Sequence, residues 1–443
     1  MKLAVVVQRY GADINGGAEL HARYVAERLA RHAEVEVVTT CARDYVTWRN
    51  ERPAGIEQVN GISVRRFPVR HERDPYQFGR RSQRVFDDTH SVADEIGWLD
   101  SEGPASPAMI DYVQREAGNL DFILLFSYRY YHAWHGARRV HAKAVLVPTA
   151  ERDPAVGLAI FGPTFRGVRG IMYNSHEERA MIHAAAHNEH VPGVVVGIGS
   201  EVPSRTDAAR FRRKYNIRGP FAIYVGRIDE NKGCKELFDF FQRYAATFPR
   251  GLDLVLIGSA IMPVPEHPRI HHLGFLPEED KYDGLAASDL LIMPSYFESL
   301  SMVALEAWAI GRPVLANGRC DVLKGQCIRS AAGLYYDRYE EFAETLYSLE
   351  SNGPLHERLG RNGRDYFARH YAWPVIERKY LDMFDALKRE DASGAARTPL
   401  ERLPGWLARR RRDLPPASEV LAGIPSGAVV AGREPSRDLS QSA

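Results

Sequence analysis

Two glutamates, Glu298 and Glu306, stand in the segment YFESLSMVALEAW with seven residues between them. They follow an apolar run, Leu290 to Met293, closed by Pro294-Ser295, which has the pattern of a strand and its terminating turn. A helix is expected to begin near Ser301. Glu298 then lies in the loop at the strand's end, and Glu306 one turn into the helix. The free N–H groups of Leu300, Ser301 and Met302, with the positive end of the helix dipole, point at an anion held between the two carboxylates. Two glutamates at this spacing usually form a solvated helix face, so the pair alone is a weak signal. Its position at the end of an apolar strand sets it apart.

Three other segments offer compatible chemistry. VGRIDENKG follows the apolar run Phe221–Val225 and presents Gly226, Arg227, Lys232 and Gly233 at the opening of a helix. Arg227 as a planar fork and Lys232 as a point charge both suit a diphosphate; equally, the segment reads as a plain polar loop. HHLGFLPEED puts Gly274 and Phe275 in a turn between strand and helix, either a simple connection or a place where a base stacks and is read by backbone groups. Near the N-terminus, Asn15-Gly16-Gly17-Ala18-Glu19 links the first strand to the first helix. Gly16 and Gly17 would let the backbone approach a phosphate closely. The segment is not a GxGxxG and no Walker lysine follows, which disfavours a dinucleotide fingerprint and a P-loop.

Short apolar runs alternate with amphipathic helical stretches, the signature of parallel sheets covered on both faces. Strands are expected at Leu3–Val7, Val35–Thr39, Phe122–Phe126, Ala144–Val147, Gly170–Tyr173 and Val194–Val196, with helices such as Ala18–Ala30 and His176–Ala186. The pattern restarts with Phe221–Val225, Leu252–Ile257, Leu290–Met293 and Pro313–Ala316, and helices near Lys235–Ala246 and Ser301–Ile310. Helices follow near Tyr339–Leu349, Pro354–Arg369 and Val375–Lys388. The restart near 197–220 reads as a linker between two doubly wound domains facing each other across a cleft, with ligands at the carboxyl ends of the strands. The expected organisation is an N-terminal domain 1–197, a C-terminal domain 198–372, a helix 373–389, and a mostly disordered basic and Pro-rich tail 390–443.

Bulk properties exclude several classes. A chain of 443 residues exceeds one ordinary core. The net charge of +1 gives no reason to expect nucleic acid. MKLAVVVQRY lacks the pattern of a secretory leader, and no run approaches the roughly 18 to 20 apolar residues of a membrane span. Cys41, Cys234, Cys320 and Cys327 are scattered without a CxxC, which favours a reducing cytoplasm over a structural zinc site. His183 and His187 stand four apart near His190, too few ligands for a zinc centre. Tyr128 to Tyr131 with Trp134 follow a strand, and read either as the lining of an acceptor cleft or as core. Ser127 and Ser175 lack a GxSxG. Trp406 beside Arg409 to Arg412 reads as a solvated charge run or as a contact with an anionic membrane.

Taken in order, GGAE at 16–19, GRIDENKG at 226–233, LGFL at 273–276 and PSYFESLSMVALEA at 294–307 resemble the retaining glycosyltransferases of the GT-B fold, specifically glycosyltransferase family 4 (glycosyl transferases group 1). The resemblance spans roughly residues 1–390. It implies two Rossmann-like α/β domains, with the segment near Trp373–Leu387 crossing back onto the first. It implies that Arg227 and Lys232 neutralise the diphosphate of a nucleoside-diphosphate sugar. Glu306 would accept from the ribose diol, Glu298 would lie by the sugar and diphosphate, and Gly17 would close over the phosphates. The expected reaction is transfer of a hexose-type sugar, with retention, to a glycan or lipid-linked acceptor in surface polysaccharide biosynthesis, in the cytoplasm or at the inner face of the membrane. No Asp-x-Asp triplet occurs, so no metal or other cofactor is expected. One position departs. Where relatives carry a histidine after the strand Ala144–Val147, this chain reads Pro148-Thr149-Ala150-Glu151-Arg152-Asp153, with Glu151 in its place. Glu151 implies an altered sugar, or weakened or lost catalysis. The rival classes are a nucleotide-sugar-binding protein and an epimerase or hydrolase on the same fold.

Overall fold

A computed structural model describes residues 1–14, 16–394, 400–401 and 413–427. Asn15, Trp406 and Arg409 to Arg412 lie outside the described residues. The chain divides into two compact units, one of Met1–Gly199 with Tyr371–Gly427 and one built on Ser200–His370.

The first unit is built on eight strands: β1 (Lys2–Val6), β2 (Glu34–Thr40), β3 (Gly55–Val59), β4 (Ile62–Phe67), β5 (Phe122–Phe126), β6 (Ala144–Val147), β7 (Gly170–Tyr173) and β8 (Gly193–Val195). Their order is β3-β4-β2-β1-β5-β6-β7-β8, parallel except for the β3–β4 hairpin. Runs such as FILLF in β5 and AVLV in β6 are buried at every position, as strands covered on both faces require. The hairpin was not expected, because GIEQVNGISVRRF is polar and lacks the continuous apolar run of the other strands. Its signal is Asn60-Gly61, both at positive φ in a two-residue turn that matches strand twist.

The helix Trp373–Ala392 packs on this unit through Trp373, Ile376, Tyr380, Met383, Phe384 and Leu387, an apolar stripe at helical spacing. Phe384 stacks on Phe122 of β5 with ring centroids 5.1 Å apart. The end of the chain requires a correction. Residues 413–427, expected within a disordered tail, form a bridge between Leu414 and His90 and a helix Ala417–Gly423, with Ala417 and Ile424 buried in the first unit's core.

The second unit has six parallel strands: β9 (Phe221–Val225), β10 (Asp253–Ile257), β11 (Ile270–His272), β12 (Leu290–Met293), β13 (Val314–Asn317) and β14 (Gly333–Tyr336). They are ordered β11-β10-β9-β12-β13-β14. The stretch expected as a linker is structured at its end. The helix Ala208–Lys214 is tied to the second unit by Arg210 Nε, which donates to Asp283 at 2.6 Å.

Candidate active site

In each sheet the chain winds first to one side and then to the other, and the crevice at that reversal is where open α/β sheets bind ligands. In the second unit the reversal lies between β9 and β12. The loops leaving those two strands are GRIDENKG and PSYFESLS, so topology brings together segments about seventy residues apart in sequence.

Gly233 sets how closely these loops approach. Its φ is 71°, and a Cβ there would lie 2.0 Å from the carbonyl oxygen of Pro294. Only glycine suits both the left-handed backbone and that contact. Across the join, Lys232 Nζ donates to Glu298 Oε1 at 2.8 Å, with the lysine side chain 31% and the glutamate 11% exposed. Asp229, buried at the loop's centre, accepts the Lys232 backbone N–H at 2.8 Å through one oxygen and pairs with the Arg227 guanidinium through the other. Asp229 thus ties down both basic residues of the loop, Arg227 by its side chain and Lys232 by its backbone, and the sequence assigned it no role. Its position between two basic residues was the available signal.

The helix Met302–Ile310 begins beside this pair, with Ser301 at its N-cap accepting the Ala304 N–H. Leu300 and Ser301 are buried at its mouth. The first amides of a helix have no intrahelical partners and favour an anion. On this helix Glu306 is buried, and one carboxylate oxygen accepts from Lys281 Nζ at 3.0 Å and Tyr282 OH at 3.1 Å. The other oxygen is buried with no hydrogen-bond partner. Burial raises the Glu306 pKa above the usual carboxylate range, and the Lys281 ammonium acts against that rise. A buried anion with an unused oxygen is costly unless something donates to it. Lys281 and Tyr282, on the helix Glu278–Ala287, were not anticipated, since no motif in that helix marks them. Gly274 turns at a φ of 72° with its carbonyl accepting the Gly258 N–H, and Phe275 beyond it is 70% exposed.

In the first unit the reversal lies between β1 and β5. Gly16 is the N-cap of the helix Gly17–Leu29. The glutamate of GGAE has a structural partner: Glu19 accepts from buried Arg9 at 2.6 Å, and a Cβ on Gly16 would run into that carboxylate. A Cβ on Gly17 meets nothing within 4 Å. At the carboxyl ends of β5 and β6, Ser127 and Thr149 both have left-handed backbones, with φ of 64° and 50°. Thr149 Oγ1 donates to Ser127 Oγ at 2.9 Å. A β-branched residue in that region is a marked exception, and such strain collects at functional sites. Glu151, two residues after Thr149, is half-buried. Tyr128 and Trp134 belong to the core, whereas Tyr130 and Tyr131 pack at its margin. His187 ends the helix His176–Ala186 in a left-handed turn. Among the described residues there is no group of three or more His, Cys, Asp or Glu that could hold a metal ion, and no helix long and apolar enough to cross a membrane.

The family model for glycosyl transferases group 1 matches residues 207–366. A D-inositol 3-phosphate glycosyltransferase of Corynebacterium efficiens is 26% identical over 246 residues, covering 50% of this chain and 57% of that protein. The chain spans about half the length of the curated relatives it matches. Among solved structures, sucrose-phosphate synthase from Thermosynechococcus elongatus superimposes with a TM-score of 0.64 at 16% identity, over 89% of this chain and 100% of that one. Anabaena HepE in complex with UDP-glucose gives 0.62 at 17% identity, over 87% and 100%. The chain has the GT-B fold, and its residues 207–366 match the family model for glycosyl transferases group 1.

Proposed function

We propose that the protein binds a nucleoside-diphosphate sugar and transfers its hexose-type sugar, with retention of configuration and without a metal, to a glycan or lipid-linked acceptor in surface polysaccharide synthesis. The observation that carries this reading is the Lys232–Glu298 pair at the reversal point of the second sheet, beside a helix N-terminus. Breaking the sugar–diphosphate bond develops negative charge on the departing phosphate. Arg227, Lys232 and the amides of Leu300 to Met302 supply fixed positive charge and donors for it, and such groups act chiefly in the transition state. Glu306 uses its unpartnered oxygen for a ribose hydroxyl, and Gly274 with Phe275 meets the base. Retention and the polysaccharide setting rest on the motif resemblance, and the UDP-glucose held by Anabaena HepE makes a UDP-sugar the first donor to try.

The test is calorimetric binding of UDP, GDP, ADP and their sugars with EDTA present, followed by donor turnover with and without acceptor extracts. Selective binding of one nucleotide, and turnover that requires acceptor, is expected. Binding without turnover would leave a nucleotide-sugar-binding protein, the alternative that the departure at Glu151 raises. Binding that appears only when a divalent metal replaces EDTA would overturn the metal-independent mechanism.

A further inference from the structure

The two neighbours of Glu151 are each tied to an element remote in sequence. On its N-terminal side, the backbone N–H of Ala150 donates to Glu178, a carboxylate buried on the helix His176–Ala186. Glu178 sits three residues after the N-cap Ser175, the position from which a glutamate ordinarily turns back to the N-cap backbone alone. Here one of its oxygens serves the backbone of Asn174 and the other reaches across to the loop after β6. On the C-terminal side, Arg152 donates to the carbonyl of Ile424 at 2.6 Å and to that of Pro425 at 3.1 Å, at the end of the helix Ala417–Gly423. Asp153 caps the following turn through Ala155 N–H and pairs with Arg129 at 2.7 Å. So Ala150, Arg152 and Asp153 are each anchored to a different element, around a residue that stands two positions after the left-handed Thr149.

Strain of this kind persists only where surrounding bonds over-determine the backbone, and it marks places where a side chain must be aimed. The loop leaves the carboxyl edge of the first sheet, the edge at which such sheets meet their ligands. Resting on the reading above, we propose that Glu178 and Arg152 are positioning residues that together fix Glu151 as a substrate-facing carboxylate of the first unit. Glu178 acts through the Ala150 amide, and Arg152 through the C-terminal segment 413–427.

The proposal is tested with the full chain and the variants Glu178→Gln, Arg152→Ala and Glu151→Gln. Gln can offer one carbonyl oxygen, and its amide cannot accept the second N–H. Misplacement of a reacting group by about 1 Å costs on the order of 100-fold. Glu178→Gln and Arg152→Ala are therefore each expected to lower kcat by roughly 10- to 100-fold, with the nucleotide Kd of the second unit within about twofold of the parent's, because these bonds of both side chains lie within the first unit. In a Glu151→Gln background neither should lower kcat further. Equal losses in both backgrounds, or a Glu151→Gln variant with parental kcat, would overturn the proposal. A readout independent of turnover is amide hydrogen exchange of the peptide spanning 148–158, expected to quicken in Glu178→Gln; unchanged exchange would also overturn it. Should the parent turn over no donor, the transfer reading fails while the exchange experiment still decides the bracket. Should Glu178→Gln not fold, Arg152→Ala carries the kinetic and exchange arms.

Discussion

Replacing Glu306 by Gln probes the second unit most directly. One Glu306 oxygen is committed to Lys281 and Tyr282, and the other is buried without a partner. If a ribose hydroxyl donates to that free oxygen, the bond is charge-assisted and contributes about 1.5–3 kcal/mol. At 1.4 kcal/mol per decade, its loss weakens nucleotide binding about 10- to 150-fold. The carboxylate's pKa is raised by burial, which gives a second signature. Only the ionised form offers two acceptors, so affinity is full above the raised pKa and falls as pH drops through it. That window begins above the ordinary carboxylate value of about 4.5. The assay is calorimetric titration of whichever nucleotide binds the parent, from pH 5 to 8, with the melting temperature checked at each pH. The variant should bind weakly at every pH, with the acid-side decline gone. A Kd within twofold of the parent's at pH 8 would refute the assignment of that oxygen to the ligand.

Lys232→Met and Arg227→Ala should each slow turnover about 100-fold or more, the scale of losing one oxyanion donor, in single-turnover kinetics; parental rates in both would remove the loop from the reaction. Gly16→Ala should lower the melting temperature by several degrees, because its Cβ displaces Glu19 from a buried ion pair worth about 3–5 kcal/mol once broken. Gly17→Ala should melt like the parent, so any loss of turnover there reports on ligand approach rather than on folding. Truncation after Arg412 removes buried Ala417 and Ile424 and should destabilise the first unit by about 1–3 kcal/mol, read by thermal unfolding; an unshifted transition would show that this segment does not hold the fold.

The strands most legible in the sequence were those buried on both faces, because FILLF, AVLV and LLIM leave little room for another reading. Edge elements were missed for the opposite reason. The hairpin β3–β4 is polar and half-exposed, and the segment GLYY of β14 is short. Their pairing energy comes from neighbours the sequence does not name. The segment 413–427 lies in a stretch whose composition, dominated by Arg, Pro, Ser, Gly and Ala beyond Arg389, points to disorder. It is held instead by a few long-range bonds, among them Leu414 to His90 and Ser418 to Phe86. Composition cannot report a segment stabilised by a surface waiting for it.

The same distinction separates the two halves of the candidate site. In the second unit Arg227, Lys232 and Glu298 all lie in the loops that leave β9 and β12, Glu306 is on the helix that follows, and the loops carry their own organisers. Asp229 lies inside the segment it shapes, and Gly233 permits the contact that brings Lys232 to Glu298. A motif reader finds such a site because its parts are local and only the order of two strands is missing. In the first unit the organising contacts run from Ala150 to Glu178 and from Arg152 to Ile424. Each joins segments whose spacing along the chain carries no periodic signal, and each partner looks like an ordinary helix or tail residue. The departure at Glu151 was visible as an odd residue, but not as a held one. A carboxylate that had drifted into the position without selection for its placement would not need anchors on both neighbours, and this is the physical argument for altered specificity over simple decay.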